Sequence, residues 1–413
     1  MKAEMKDGVM IVSLTGRIEA DNVNDIESQL RECVGEYAGR LYLDAEELTY
    51  ISSAGLRLFL KLQHEREDQL IFINLLPEVM DIFQVTGFDT IFQLRGKMKE
   101  VSLEGLEKIG RGATADVYRL DAERVIKVHN DRPINTMDFI EQERIVSREI
   151  FKHDIPTAIP FDIVKVGDHI GVIYEAVRAK MLYGFLMMNP ERKDEIVEKE
   201  TTLFRKIHHT EFEKGILPRT KDRILSTVEK IRHYFSEDVW QQFLDTVNAI
   251  PDRMTLVHGD FHAGNIMVDE DGELILVDVG DCTTGHPVLD VAATIQMPTL
   301  LKGIMDERDI MAELFDLKDL SEEQEKKTLA FYAWLEDFWK RTLKSYTGVT
   351  DEKEVCDLDY RIKTYAFLIY MYKLALLPRT SEEQTGKAVH LMMDQFLERT
   401  ARIGSLSDWW KDW

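Results

Sequence analysis

Two stretches decide how most of the chain is read: HGDFHAGN at 258–265 and LILVDVGD at 274–281. Asp260 follows a His-Gly pair, where a carboxylate can orient a substrate hydroxyl and take its proton. Asn265 lies five residues further on. Asp278 closes an apolar, strand-like run, where it can bind magnesium held between phosphate oxygens. A turn cap would account for any one of these residues. It would not account for the three together.

The upstream sequence supplies the rest of what phosphoryl transfer needs. Gly110-Arg111-Gly112-Ala113-Thr114-Ala115 lies between strand-like segments, and its glycines let backbone N–H groups approach a phosphate. Val125-Ile126-Lys127-Val128 then puts one lysine in an apolar strand, at a spacing from the loop that suits a phosphate clamp. A lysine on a buried strand face needs a partner. Glu141, Glu143 and Glu149, on the helix expected over Met137–Phe151, are the candidates. Leu106 to Val128 reads as two or three antiparallel strands, and Ile163–Val177 as two more around Gly167-Asp168-His169. From Met181 onward the chain is mostly helical, apart from a strand-rich patch at Ile266–Val279. Strands followed by helices suggest an α+β bilobal domain.

On these motifs, and on HPVLDVA at 286–292, the segment from Leu106 to about Thr400 resembles the aminoglycoside phosphotransferase and choline kinase-like superfamily, relatives of the protein kinases. The resemblance implies Asp260 as catalytic base, Asn265 and Asp278 as magnesium ligands, and Lys127 as phosphate clamp. Gly110, Gly112 and Ala115 would cover the phosphates of ATP or GTP. Glu143 has the more family-like spacing from Lys127, with Glu149 as runner-up. Glu175-Ala176-Val177 would be the hinge, contacting the nucleotide base through backbone groups of Glu175 and Val177. Asp290 is expected to be scaffold, His258 an orienting residue and His262 structural. Val279 stands where protein kinases have phenylalanine, which favours a small-molecule hydroxyl acceptor.

The first hundred residues read differently. Val9–Leu14, Arg40–Leu43 and Leu70–Asn74 read as strands. Asp21–Val34, Ser53–Glu65 and Pro77–Val85 have helical spacing. This alternation predicts an α/β domain. LTGRI (14–18), LTYISSAGLRLFLKL (48–62) and NLLPEVMDIFQVTGFDTIFQL (74–94) resemble the STAS family of anti-sigma factor antagonists. That resemblance implies a binding module with a possible protein partner, switched by phosphorylation at the position of Ser53. Ser52 stands where the family often has aspartate. Either Ser52 or Ser53 is placed to cap the following helix, and a phosphate there would meet a helix N-terminus that tolerates its charge.

A chain of 413 residues is long enough for two or three domains. The expected organisation is a STAS domain at 1–98, a polar linker at 99–105, a kinase-like N-lobe at 106–177, and a mostly helical C-lobe at 178–413. The formal charge of -23 argues against a nucleic-acid partner. Cys33, Cys282 and Cys356 form no CxxC pair, which excludes a cysteine zinc site and suits a reducing compartment. MKAEMKDGVM lacks a signal-peptide core, and the apolar run Ala366–Leu377 contains Lys373 and is too short to span a bilayer. No membrane association and a cytoplasmic location are therefore expected.

His153, His208 and His209 lack metal-ligand spacing and read as packing or surface residues. Phe331, Leu335, Phe338 and Trp339 read as a core stripe, and the acidic patches Ser321–Glu325 and Asp351–Asp359 as solvated helix faces. Together these readings predict a magnesium-dependent phosphotransferase carrying a STAS regulatory module. The alternatives are a protein-directed kinase, with Ser53 as phospho-switch, or a pseudokinase scaffold.

Overall fold

The computed structural model describes residues 1–6, 9–66, 69–112, 114–131, 135–294, 322–376 and 382–403. Its contacts divide it into two compact units, Met1–Leu103 with Ile163–Asp168, and Glu104–Asp162 with His169–Trp413.

The first unit carries a five-stranded sheet in the order β1 (Lys2–Lys6), β2 (Val9–Ile18), β3 (Leu41–Ile51), β4 (Leu70–Leu75), β5 (Gln93–Gly96). β1 runs antiparallel to β2, and the remaining neighbours are parallel. Parallel strands need crossovers. Here they are α1 (Val23–Val34), α2 (Ser53–Glu65) and α3 (Pro77–Val85). β3 runs well past the expected Arg40–Leu43. Leu41, Leu43, Ala45, Leu48 and Ile51 are buried, so Asp44, Glu46 and Glu47 interrupt the apolar sequence without interrupting the strand's buried face. β1 escapes sequence reading because all five of its residues are exposed. The core centres on Phe72, whose ring centroid lies 5.0 Å from those of Phe59 and Phe83 and 5.4 Å from that of Phe92. A short strand, β6 (Lys99–Glu100), pairs in parallel with Val164 and Lys165.

The second unit begins with β7 (Glu107–Arg111), β8 (Ala115–Arg119) and β9 (Arg124–His129), followed by α4 (Met137–Lys152) and β11 (His169–Glu175), while β10 (Pro160–Val166) starts in this unit and ends in the first. β7, β8, β9 and β11 pair antiparallel in that order. The rest is helical around a core that includes Phe204, Phe243, Phe261 and Tyr365, and four short strands position the catalytic turns. Leu256 and Val257 pair with Thr284 and Thr283. Ile266 pairs with Leu276.

Three long helices follow, Glu322–Thr347, Glu352–Leu376 and Glu382–Ile403. Leu335, Phe338 and Trp339 are buried and Phe331 packs against the same core, so this stripe is packing. Asp351 accepts a hydrogen bond from the Glu354 N–H at a helix start, and Asp359 accepts one from the Trp339 indole at 2.7 Å. Ser321 lies outside the described residues. Among the described residues, no helix is long and apolar enough to cross a membrane.

Candidate active site

Strand register brings the motif residues together. In β8 and β9, Val117 faces Lys127, so the Gly110–Ala115 turn lies at the end of the strand pair that carries the lysine. Gly110 faces Val117 across β7 and β8, and the Gly112 N–H donates to the Ala115 carbonyl at 2.8 Å, closing the turn. Ala113 lies outside the described residues.

Lys127 is mostly buried and shared between two carboxylates. Its Nζ is 2.6 Å from Glu143 Oε1 and 3.1 Å from Asp278 Oδ1. The choice between glutamates is thereby resolved. Glu143 is 4% exposed and also accepts from the Tyr174 hydroxyl at 3.2 Å. Glu149 pairs with Lys152 instead, and Glu141 lies 3.9 Å from Arg144. Burial works against the charge on Lys127, but Glu143 and Asp278 outweigh it and hold the ammonium above its ordinary range. The Lys127 charge, in turn, holds Asp278 below the usual carboxylate range. Gly280 lets α4 approach this turn: a Cβ there would stand 2.9 Å from Glu143 Cγ.

Asp278 adopts a left-handed backbone, φ 60° and ψ 54°. For a residue with a Cβ this costs about 1–3 kcal/mol and is characteristic of functional sites. The half-exposed carboxylate stands at the start of the turn Val279–Asp281. Asn265 is held beside it, since the Val277 N–H donates to the Asn265 carbonyl at 2.9 Å. Its side chain reaches back to Asp260, with Nδ2 2.9 Å from the Asp260 carbonyl and 3.1 Å from Oδ2. That leaves the amide oxygen of Asn265 as the atom for a cation. Among the described residues, no group of three His, Cys, Asp or Glu could hold a metal alone. A carboxylate and an amide oxygen fit a magnesium ion that completes its shell with water and phosphate oxygens.

Asp260 is fixed from three sides. His262 Nε2 lies 3.5 Å from Oδ2, and Lys373 Nζ lies 3.3 Å from Oδ1. His262 Nδ1 accepts from the Gly264 N–H at 2.9 Å, so its proton sits on Nε2, toward Asp260. Burial works to raise the Asp260 carboxyl, but His262 and the Lys373 charge outweigh it and hold the group well below the carboxylate range. Asp260 is therefore ionised at neutral pH.

Behind the turn, buried Asp290 accepts from the backbone N–H of His258 at 2.7 Å and of Gly259 at 2.9 Å. His208 Nε2 lies 3.2 Å from Asp290 Oδ2. Gly259 has φ +80°, and a Cβ there would stand 2.9 Å from the Asp281 carbonyl oxygen. His258 is fully buried, and its Nδ1 accepts from the Asp260 N–H at 3.3 Å. It orients the loop without reaching solvent, and burial disfavours its charged form, lowering its pKa.

Glu175 and Val177 line a groove of about 660 Å³ with Glu123, Phe151, Thr157 and Phe161. Lys127, Asp260 and Asp278 are not among its lining residues. The Glu175 N–H donates to the Ile159 carbonyl at 3.0 Å and the Ala176 N–H to the Glu123 carbonyl at 2.7 Å.

Sequence reading missed Lys373. Its Nζ also lies 3.5 Å from Asp281 Oδ2, and the Arg223 guanidinium holds Asp281 Oδ1 at 2.7 Å. The available signal was a single lysine inside an otherwise apolar helical run. In the first unit, Ser52 is the helix cap, accepting from the Gly55 N–H at 3.3 Å. Ser53 is the first residue of α2 and is exposed.

Fold and site together define a kinase-like phosphotransferase joined to a STAS domain. The chain belongs to the phosphotransferase enzyme family, whose model matches residues 105–314, and residues 1–96 match the Mlab STAS domain model. The N-terminal part is similar to BtrV of Bordetella bronchiseptica, named as an anti-sigma factor antagonist. The two are 36% identical over 89 residues, covering 21% of this chain and 77% of that protein. Among solved structures, the chain is similar to the streptomycin-ATP-APH(2'')-IIa ternary complex, at 16% identity and a TM-score of 0.43, covering 70% of this chain and 90% of that one. It is also similar to an ethanolamine kinase of Plasmodium vivax, at 14% identity and a TM-score of 0.44, covering 71% and 83% of the two chains.

Proposed function

We propose that the chain is a magnesium-dependent phosphotransferase that moves the γ-phosphate of ATP or GTP to a hydroxyl of a small molecule, with its STAS domain as a regulatory binding module. The observation that carries this reading is the convergence of Glu143, Lys127 and Asp278 through Lys127 Nζ, beside an Asp260 held by Asn265. Gly110, Gly112 and Ala115 cover the phosphates, and Lys127, kept charged and aimed by Glu143, clamps them. The nucleotide base is met by the Glu175 carbonyl and the Val177 N–H, because the Glu175 and Ala176 N–H groups are already used. Asp278 and the Asn265 amide oxygen hold magnesium, which when bound neutralises charge on the phosphate oxygens. Asp260 accepts the acceptor's hydrogen bond and then its proton. The acceptor oxygen bonds to the γ-phosphorus, and the bond from phosphorus to the bridging oxygen breaks. The nucleoside diphosphate leaves with that electron pair.

The test is turnover with and without Asp260. Asp260→Ala should abolish acceptor-dependent nucleotide consumption, while circular dichroism still shows a folded protein with a cooperative melt. Retained activity would remove Asp260 from its assigned role. A second reading, transfer to a protein serine, draws on the exposed Ser53, which the Ser52 cap leaves free. Intact mass after incubation with Mg-ATP tests it, and an unchanged mass while nucleotide is hydrolysed counts against it.

A further inference from the structure

The acceptor side of Asp260 is built from two carboxylates and two cations. Lys373, on the helix Glu352–Leu376, stands 3.3 Å from Asp260 and 3.5 Å from Asp281. Arg223, on the helix Thr220–Val228, donates to Asp281 Oδ1 at 2.7 Å and to the Asp281 carbonyl at 3.0 Å. These four charges cancel, so among the described residues they offer no excess of carboxylate to attract a polycation.

Neither Lys373 contact is a tight ion pair, since charge-assisted N–H···O bonds are about 2.7–2.9 Å. The ammonium lies between the two carboxylates without closing on either. It has three N–H bonds, two of them directed at these carboxylates, and the side chain is 30% exposed.

We propose that Lys373 selects an acceptor whose hydroxyl sits close to a carboxylate, a small hydroxy acid, with the hydroxyl on Asp260 and the carboxylate on Lys373 Nζ. Because the two protein groups are only 3.3 Å apart, their ligands at hydrogen-bond distance, about 2.7–2.9 Å each, lie no more than about 9 Å apart and can belong to one small molecule. An α- or β-hydroxy acid has that reach. This inference rests on the phosphotransferase reading above and adds the acceptor's chemical class.

The experiment uses the full chain, Mg-ATP, and a coupled assay of ADP release. Glycolate, L-lactate and D-glycerate are compared with their uncharged counterparts ethylene glycol, propane-1,2-diol and glycerol, and with kanamycin as a polycation. The acids should exceed the uncharged counterparts in kcat/KM by roughly tenfold to a hundredfold, the usual worth of a hydrogen bond to a charged group. Lys373→Met should remove that preference mainly by raising KM for the acids, and Lys373→Arg should retain part of it. The arginine variant keeps the charge and reports even if the methionine variant does not fold. Mg-ATP binding by calorimetry separates the two ways of failing. Bound Mg-ATP without an advantage for the acids overturns this inference alone, as does a preference that survives Lys373→Met. Neither Mg-ATP binding nor turnover overturns the phosphotransferase reading and this inference with it.

Discussion

Glu200→Gln should make the protein more stable at pH 8 and leave it nearly unchanged at pH 4.5. Glu200 lies on the helix Lys193–His209, is 2% exposed, and accepts from Thr342 Oγ1 at 2.6 Å. Burial raises its carboxyl from an ordinary 4.5 to about 7, against a smaller opposing effect from the Thr342 hydrogen bond. The sign follows from proton binding. Below pH 4.5 both the folded and the unfolded chain hold the proton, and folding loses nothing. Between 4.5 and 7 the unfolded chain releases it while the folded chain keeps it, so each pH unit removes about 1.4 kcal/mol of stability. Above 7 the loss is complete. A shift from 4.5 to about 7 therefore amounts to about 3 kcal/mol. Glutamine keeps the volume and the bond from Thr342 but cannot ionise. The gap between variant and wild type should grow from near zero to about 3 kcal/mol across that range. Guanidinium denaturation of both full-length proteins at several pH values from 4.5 to 8, at constant ionic strength, measures it. Buried histidines also contribute to the pH dependence, since burial lowers His258 and brings His286 to about 4. They are common to both proteins and cancel in the difference. A gap that stays constant with pH would refute the reasoning.

Three further predictions concern the site and the start of α2. Lys127→Met leaves Glu143 buried without its cation, which should destabilise the protein by about 3–5 kcal/mol and weaken Mg-ATP binding; adding Glu143→Gln should recover stability but not affinity, read by thermal melts and calorimetry. Gly259→Ala puts a Cβ 2.9 Å from the Asp281 carbonyl at φ +80°, so it should lower both kcat and the melting temperature. In α2, Ser52→Ala should cost about 1 kcal/mol and Ser53→Ala less than about 0.5 kcal/mol; hydrogen exchange at the Gly55 amide of the full chain distinguishes them.

The sequence was most legible where a short span carries both structure and chemistry. α2 and α3 have the limits expected of them, Ser53–Glu65 and Pro77–Val85, because an N-cap serine and an N1 proline mark their starts. HGDFHAGN places Asp260 and Asn265 on one turn, and the strand after it delivers Asp278. β3 extends past the expected Leu43 because its buried face continues through Ala45, Leu48 and Ile51, although strict alternation stops after Ala45, where the pairing with β2 shifts register. The choice among Glu141, Glu143 and Glu149 could not be made from charge alone. Glu143 wins because it faces inward from α4, while Glu149 sits where it meets Lys152.

Lys373 shows why the acceptor side was the hardest part to read. The nucleotide side is built from neighbours in sequence or from paired strands, so spacing and alternation predict which residues meet. Lys373 reaches Asp260 from a helix whose register is set by packing, with Tyr365, Phe367, Leu368 and Met371 buried around the same core. A lysine within such a run reads as a defect in an apolar helix until its tertiary partner is known. Its partners turn out to be Asp260 and Asp281, and burial without them would cost several kcal/mol. The same fact gives the residue its proposed role. A cation kept in an apolar helix needs carboxylates to balance it, and an N–H of Lys373 not directed at Asp260 or Asp281 is what a carboxylate of the proposed acceptor would meet.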